Sequence, residues 1–299
     1  MSELFTAGRL FRLRAAELST VLVTSTRYKP EAHPLARDTA RRLEQLGAAV
    51  TLDLEGSLGR DSLPEGLELV IAVGGDGTIL NTARLLVGAD VPVLGVNLGK
   101  LGFLAGHGAD DITAWLEGSS APNWRIVSRL MLQLTVERPG VPVHYGLNDV
   151  MVSQGVMNRL INIDMAVDGI HATQYRADGV VISTPTGSTA YSLSLGGPIL
   201  SQGLRALLIT PIAPHALTNR PIVLDGFGEL QFEVSSPAAE LALIVDGQER
   251  IDIRQGDRFR VAPAPSDLQL VVSAAHDHFD VLRRKLGWGT SPFLDETAG

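Results

Sequence analysis

The hydrophobic period of the chain changes near residue 125, and this change constrains the fold more than any other feature. Before it, short apolar runs typical of buried strands alternate with segments whose apolar residues recur at helical spacing. Residues 67–73 are nearly all apolar, as expected of a strand covered on both faces. This alternation predicts an α/β unit with a parallel sheet. The predicted elements are strands at 21–25, 50–54, 67–73 and 93–96 and helices at 35–46 and 78–87.

Beyond residue 125, apolar and polar residues alternate with a period of two, first in 130–136 and again in 161–167. Asp168-Gly169 and Asp246-Gly247 are typical of hairpin turns. The pattern predicts an antiparallel, all-β half made of two packed sheets. Its remaining predicted elements are strands at 230–234, 241–245, 259–261 and 268–272 and helices at 189–195 and 203–208.

These periods predict an α/β domain at 1–122, a β-rich domain at 123–278 and a final segment at 279–299 that packs back on the first domain. A chain of 299 residues buries enough apolar surface to fold as one large domain or two ordinary ones.

Composition excludes several classes of protein. The chain has no Cys, which excludes a disulfide framework, a thiol nucleophile and a Cys-ligated metal site. A net charge of −8 argues against a nucleic-acid partner. No apolar run approaches the roughly 18 residues that a membrane-spanning helix needs, so we expect no membrane partner. An acidic chain that binds polyphosphates must concentrate positive potential locally.

A glycine-rich turn follows the apolar strand at 67–73, and a predicted helix follows the turn. The turn is Gly74-Gly75-Asp76-Gly77-Thr78, and a strand, a glycine-rich turn and a helix N-terminus together are typical of a phosphate site. A carboxylate at such a site needs a task, such as accepting a proton from an attacking hydroxyl. The alternative is that Asp76 caps a helix beginning at Thr78. The turn is not a Walker A loop, because Gly-Lys-Ser/Thr is missing at the required spacing. It is not a dinucleotide fingerprint, because position 80 is Leu rather than Gly.

The GGDGT segment resembles the motif shared by NAD kinases, phosphofructokinases, and diacylglycerol and sphingosine kinases. Five further segments resemble NAD kinase motifs and follow one another in the order of that family: 97–104 (NLGKLGFL), 147–150 (LNDV), 178–192 (DGVVISTPTGSTAYS), 245–248 (VDGQ) and 285–288 (KLGW). The resemblance runs from about residue 21 to residue 288. We therefore identify the chain by resemblance as a member of the NAD kinase family.

That resemblance implies a Rossmann-like, phosphofructokinase-like α/β domain followed by an all-β, sandwich-like NAD-binding domain. It implies transfer of the γ-phosphate of ATP to the 2′-hydroxyl of the adenosine ribose of NAD, which gives NADP and ADP. ATP, or polyphosphate, would be the donor, and Mg²⁺ or another divalent metal would arrive with ATP rather than at a dedicated site. The family also implies a cytoplasmic homodimer or homotetramer.

The resemblance makes Asp76 the general base and Gly74, Gly75, Gly77 and Thr78 the phosphate loop. The predicted NAD-binding residues are Asp76, Gly77, Asn148, Asp149, Arg159, Arg176, Asp178, Thr189, Ala190, Tyr191, Ser192, Leu193, Ser194 and Gln248.

The residues themselves leave alternatives open. Asn148 and Asp149 have the chemistry to hydrogen-bond ribose hydroxyls, but Asn-Asp is also common in ordinary turns. The hydroxyl-rich stretch 184–194 suits an adenosine, with the ring of Tyr191 as an aromatic face, and it also suits a helix cap. Arg159 and Arg176 are candidate phosphate partners or plain surface charges. The His276-Asp277-His278 run suggests a metal pair, which the family pattern does not support.

Two other functions are compatible with the glycine-rich turn. A lipid or sphingoid-base kinase would keep GGDGT but would lack the stretch at 178–192. A non-catalytic dinucleotide sensor would be expected to lack Asp76, which is present.

Overall fold

The computed structural model describes residues 8–11, 14–99, 102–118, 124–154, 160–216, 218–235, 241–273 and 278–288. The described residues form two compact units. Unit 1 falls within Met1–Leu85, Val91–Val127 and Gln269–Gly299, and unit 2 within Leu86–Asp90 and Ser128–Leu268.

Helices occur mainly in unit 1. The α-helices are α1 (His33–Gln45), α2 (Asp76–Leu85), α3 (Ala109–Leu116), α4 (Tyr191–Ser194) and α5 (His278–Leu286). Short 3-10 helices occupy Ala15–Glu17, Pro30–Ala32, Arg60–Ser62 and Gly187–Thr189. None of the helices in the described part of the chain is long and apolar enough to cross a membrane.

The strands of the described residues make up three sheets. They are β1 (Arg9–Leu10), β2 (Thr20–Thr24), β3 (Ala49–Asp53), β4 (Leu69–Gly74), β5 (Val93–Asn97), β6 (Trp124–Arg129), β7 (Leu132–Val136), β8 (His144–Gly146), β9 (Asp149–Gln154), β10 (Ile161–Val167), β11 (Ile170–Ala177), β12 (Gly179–Ser183), β13 (Ala206–Ile212), β14 (Ile222–Asp225), β15 (Leu230–Val234), β16 (Leu241–Val245), β17 (Glu249–Ile253), β18 (Arg258–Pro263) and β19 (Leu268–Ser273).

The sheet of unit 1 has the order β1-β6-β19-β5-β4-β2-β3 among the described strands. Strands β3, β2, β4, β5 and β19 run parallel to one another. Every residue of β4 and β5 is buried, because helices cover the sheet. Leu43 of α1 and Trp115 of α3 share one core with Ile71 of β4, whereas Ile79 of α2 packs where Gly95 has no side chain. The predicted α/β unit is therefore confirmed.

Unit 2 contains two six-stranded sheets, β11-β10-β15-β18-β7-β8 and β14-β13-β12-β9-β16-β17. Alternate residues of both sheets enter one hydrophobic core, as the period of two requires. Phe232 and Phe259 pair across β15 and β18 with stacked rings, 5.0 Å between centroids. The predicted all-β half is confirmed. In each Asp-Gly hairpin both turn residues have positive φ, and the φ of the aspartate is 50° at Asp168 and 50° at Asp246.

One predicted element is wrong, and one predicted strand belongs to a different sheet from the one expected. Residues 203–208 do not form a helix, because the buried run Ala206–Ile212 is strand β13, paired between β12 and β14. The strand predicted at 268–272 exists as β19, but it does not join the antiparallel sheets. It pairs in parallel with β5 in the sheet of unit 1. Apolar alternation indicates a buried face in either sheet and does not indicate the partner strand.

Candidate functional site

The glycine-rich turn lies where the winding of the unit 1 sheet reverses. The chain runs from β2 to β3 on one side and then crosses to β4 and β5 on the other, so the reversal falls between β2 and β4. In open parallel sheets, ligands bind at the carboxyl ends of the strands at such a point. The segment 74–78 follows β4 at this position.

Asp76 is the first residue of α2, and its carboxylate anchors a loop distant in sequence. The backbone N–H of Phe103 donates to Oδ2 (2.9 Å), and those of Leu104 and Ala105 donate to Oδ1 (3.0 Å each). Asn97 holds the same loop by donating through Nδ2 to the carbonyl of Ala105 (3.0 Å). The interpretation of Asp76 as the cap of a helix that begins at Thr78 is therefore wrong. The helix begins at Asp76, and the carboxylate accepts hydrogen bonds from the backbone N–H groups of 103–105.

Glycines in and beside this turn leave room for polar groups. A Cβ on Gly74 would lie 2.3 Å from Oγ1 of Thr78, and one on Gly102 would lie 2.1 Å from Oδ1 of Asp76. A Cβ on Gly75 would lie 2.8 Å from Nζ of Lys29. Any larger residue at these positions would displace a polar group, since real Cβ atoms do not approach other atoms so closely.

A second carboxylate holds the Asn148-Asp149 loop of unit 2 in the same manner. Asp246 accepts from three successive backbone N–H groups: Leu147 to Oδ2 (3.0 Å), Asn148 to Oδ1 (2.7 Å) and Asp149 to Oδ1 (3.1 Å). The backbone N–H of Asp246 returns a hydrogen bond to the carbonyl of Asp149 (2.9 Å). Asp246 is buried, so these bonds form in a medium of low polarity, where they are strong.

The hydroxyl-rich stretch packs against this same loop. Thr184 donates from its backbone N–H to the carbonyl of Asn148 (2.9 Å) and from Oγ1 to the carbonyl of Leu147 (2.6 Å). A Cβ on Gly187 would lie only 2.0 Å from the carbonyl oxygen of Asn148. The start of the hydroxyl-rich stretch 184–194 is thereby linked to the Asn148-Asp149 loop within unit 2.

The side chains of this stretch differ in what they offer to a ligand. Ser188 and Ser192 are fully buried, and their hydroxyls bond internally, with Ser192 Oγ 2.7 Å from Thr210 Oγ1. Tyr191 instead exposes 42% of its surface, so its ring is accessible to a flat ligand. Among the other predicted residues, Ser194 is exposed and Thr189, Ala190 and Leu193 are half-buried.

The remaining predicted residues lie at the surface or outside the described residues. Arg176 and Gln248 are exposed, and Asp178 is half-buried, with its backbone N–H donating to Ile212 (2.9 Å). Arg159 lies outside the described residues.

No group of three or more potential metal-ligating residues occurs among the residues that the structure describes. The carboxylate of Asp76 already accepts three of the roughly four hydrogen bonds available to it. His276 and Asp277 lie outside the described residues, and His278 begins α5.

Asp149 is a buried acid, exposing 6% of its surface. Burial raises its pKa from the ordinary value of 3.8 to about 7, and the carboxylate of Asp246 adds to the rise. Within the described part of the chain, no side chain or backbone N–H donates to the Asp149 carboxylate. It is thus available to accept hydrogen bonds from a ligand.

The raised pKa of Asp149 predicts a stability that falls as pH rises. The folded chain holds this proton between pH 3.8 and about 7, whereas the unfolded chain releases it, so folding loses up to about 4 kcal/mol across that window. Above pH 7 both states are ionised and the effect levels off. We expect Asp149→Asn to lack this loss, so its urea midpoint relative to wild type should increase from pH 5 to pH 8. A constant difference would contradict the assignment.

Asp246 holds a loop of the candidate site, whereas its sequence pattern predicts only a turn. The Asp-Gly pair does predict the hairpin, but nothing local in the sequence indicates that the carboxylate reaches Leu147, 99 residues away. The direction of a turn side chain is decided by what the fold places beside it.

We expect Asp246→Asn to weaken NAD binding, because an amide cannot accept three N–H bonds as a carboxylate does. The KM for NAD should rise by about tenfold or more, the effect of losing charge-assisted hydrogen bonds. Asp168→Asn is the matched control: Asp168 has the same φ of 50° in another Asp-Gly turn. It should lower stability and leave this KM unchanged. If Asp246→Asn and Asp168→Asn have the same KM for NAD, Asp246 acts only as a turn residue and the expected role in NAD binding is wrong.

Family models match most of the chain in two parts. The model described as the ATP-NAD kinase N-terminal domain matches residues 3–122, and the one described as the ATP-NAD kinase C-terminal domain matches residues 147–273. Together they agree with the family resemblance of the sequence motifs. They do not favour the lipid-kinase and sensor alternatives.

Relatives and solved structures agree with these matches. The chain is 43% identical to the NAD kinase of Geobacter metallireducens over 231 residues, covering 77% of this chain and 82% of the relative. It is 39% identical to that of Syntrophotalea carbinolica over 271 residues, covering 87% and 95%. Yeast NADH kinase, solved with NADH, matches with a TM-score of 0.82 at 26% identity and coverage of 93% and 89%. An Archaeoglobus fulgidus NAD kinase, solved with ATP, shares the fold with a TM-score of 0.68 at 22% identity and coverage of 90% and 97%. The chain therefore belongs to the NAD kinase family, whose members are phosphotransferases.

Proposed function

We propose that the chain transfers the γ-phosphate of ATP to the 2′-hydroxyl of the adenosine ribose of NAD, giving NADP and ADP. The observation that carries this proposal is the linked pair of segments in unit 2, in which Asp246 holds the Asn148-Asp149 loop and Thr184 bonds to it. The free acceptor oxygens of Asp149 suit ribose hydroxyls. The accessible ring of Tyr191 suits an adenine.

Asp76 is the proposed general base. Three backbone N–H groups fix its carboxylate and leave about one acceptor position, which suffices for the proton of one hydroxyl. No residue is proposed to form a phosphoenzyme, so the transfer is direct and in line. Its rate rests mainly on positioning and on charge stabilisation of the phosphoryl group.

The remaining residues carry supporting roles. Gly74, Gly75, Gly77 and Thr78 form the loop that approaches phosphate, Gln248 and Asp178 contact the dinucleotide, and Arg176 and Arg159 pair with phosphates. Mg²⁺, or another divalent metal, arrives bound to the ATP phosphates, since this cation often binds mainly through substrate oxygens. We further propose a homodimer or homotetramer in the cytoplasm, with polyphosphate as an alternative donor.

The test is an assay of the purified chain with ATP, Mg²⁺ and NAD, in which a dehydrogenase specific for NADP reports the product. NADP should accumulate in step with ADP. Binding of NAD without any NADP would replace the proposal with a dinucleotide sensor. A matched reaction with polyphosphate in place of ATP measures the choice of donor.

A further inference from the structure

Lys29 reaches the glycine-rich turn from a neighbouring strand. Strand β2 ends at Thr24, and Ser25 ties its end to β4 by donating from Oγ to the carbonyl of Val73 (2.8 Å). The chain then turns, and the Nζ of Lys29 comes within 3.4 Å of the carbonyl oxygen of Gly74. Lys29 thus stands at the reversal of the sheet, between the carboxyl ends of β2 and β4.

Gly75 provides the space for this ammonium group. A Cβ at position 75 would lie 2.8 Å from Nζ of Lys29. The missing side chain therefore lets a positive charge stand directly over the turn that precedes Asp76. The φ of Gly75 is not positive, so backbone freedom does not require a glycine at this position. The close approach of Lys29 is a reason for the absence of a side chain there.

The charge of Lys29 is not neutralised by the protein. Lys29 is exposed, and within the described residues no acidic side chain forms an ion pair with it. The bond to Gly74 is long and uses one of three ammonium donors, which leaves two for another acceptor. Arg27, two residues earlier, is differently engaged: it donates to the hydroxyl of Tyr28 (2.9 Å) and stacks over that ring.

A positive charge such as that of Lys29 favours the binding of a phosphate chain at this turn. The protein carries a net charge of −8, and Asp76 adds a carboxylate within the turn itself, so both repel a polyphosphate. A donor triphosphate carries more negative charge than the pyrophosphate of a dinucleotide and benefits more from a nearby cation. Lysine binds phosphate as a point charge in other glycine-rich loops.

We infer that Lys29 is a phosphate-binding residue that contacts the triphosphate of the donor nucleotide across Gly75; this inference rests on the proposed function. Lys29 lies outside every segment that carries the family resemblance.

The test compares wild type, Lys29→Met and Arg37→Met. Met keeps most of the length of the Lys side chain and removes the charge, and Arg37 is an exposed cation on α1 of the same unit. We expect Lys29→Met to raise the KM for ATP by about 10- to 100-fold, the loss expected for a charge-assisted hydrogen bond. In Lys29→Met the KM for NAD and the melting temperature should stay at wild-type values. In Arg37→Met the KM for ATP, the KM for NAD and the melting temperature should all stay at wild-type values.

Direct binding of ATP with Mg²⁺, measured by calorimetry, supplies a readout that does not depend on turnover. The Kd should rise by the same factor in Lys29→Met. If wild type binds ATP but makes no NADP, the proposed function fails while this comparison still tests Lys29. The inference is overturned if ATP KM and Kd are unchanged, if the KM for NAD rises instead, or if Arg37→Met reproduces the loss.

Discussion

Asp76→Asn is expected to lower kcat by about 10²- to 10⁴-fold, the range that a positioned general base contributes. The amide keeps the shape of the side chain but cannot take a proton from the ribose hydroxyl. Because catalysis rather than NAD recognition is removed, the Kd for NAD should remain close to that of wild type. Steady-state kinetics together with NAD titration checks both expectations.

The anchoring of 103–105 by Asp76 demands a control, because a displaced loop would also slow the reaction. Asn97→Ala loosens the same loop by removing the bond to Ala105 and leaves the carboxylate in place. We expect it to lower kcat much less than Asp76→Asn. If both variants lose kcat equally, Asp76 is a positioning residue and the proposed base is wrong.

Gly187→Ala is expected to weaken NAD binding strongly. The added methyl group would lie 2.0 Å from the carbonyl oxygen of Asn148 and 2.5 Å from its carbonyl carbon. Both are backbone atoms and cannot rotate away, so the loop must move. We expect a loss of about 3 kcal/mol in the free energy of unfolding and a rise in the KM for NAD of more than about tenfold.

Gly203→Ala is the matched control in the same unit, since a Cβ there has no neighbour within 4 Å and its φ is not positive. It should be neutral or slightly stabilising. Urea denaturation and NAD titration of both variants are the measurements. Wild-type stability and NAD affinity in Gly187→Ala would mean that Asn148-Asp149 and 184–189 do not depend on each other.

Local pattern predicted much of the fold. The apolar run at 67–73 predicted a fully buried strand, and β4 is buried at every residue. The Asp-Gly pairs at 168–169 and 246–247 predicted two hairpins that are present, because few residue pairs tolerate positive φ at both turn positions. The helix predicted at 203–208 is wrong because Leu207 and Leu208 are buried on opposite faces of a strand. Periodicity cannot distinguish such a short, continuous apolar run from a buried helix.

The motifs of the candidate site were also visible in the sequence, whereas the contacts that hold each of them in place were not. GGDGT, Asn148-Asp149 and the stretch at 184–194 were each found by residue type and order. The hydrogen bonds that hold these motifs have no signal in the neighbouring sequence. The N–H groups that bond to Asp76 lie 27 to 29 residues later in the chain, and those that bond to Asp246 lie 97 to 99 residues earlier.

By itself, therefore, the sequence determined many of the elements, the two fold classes and the family, because periodicity and motif chemistry depend on neighbouring residues. Only the tertiary structure decided that β19 joins the parallel sheet, that Asp76 and Asp246 each hold a distant loop, and that Lys29 stands over Gly75. These are contacts between segments far apart along the chain. Their partners are selected by packing and register, which no local pattern encodes.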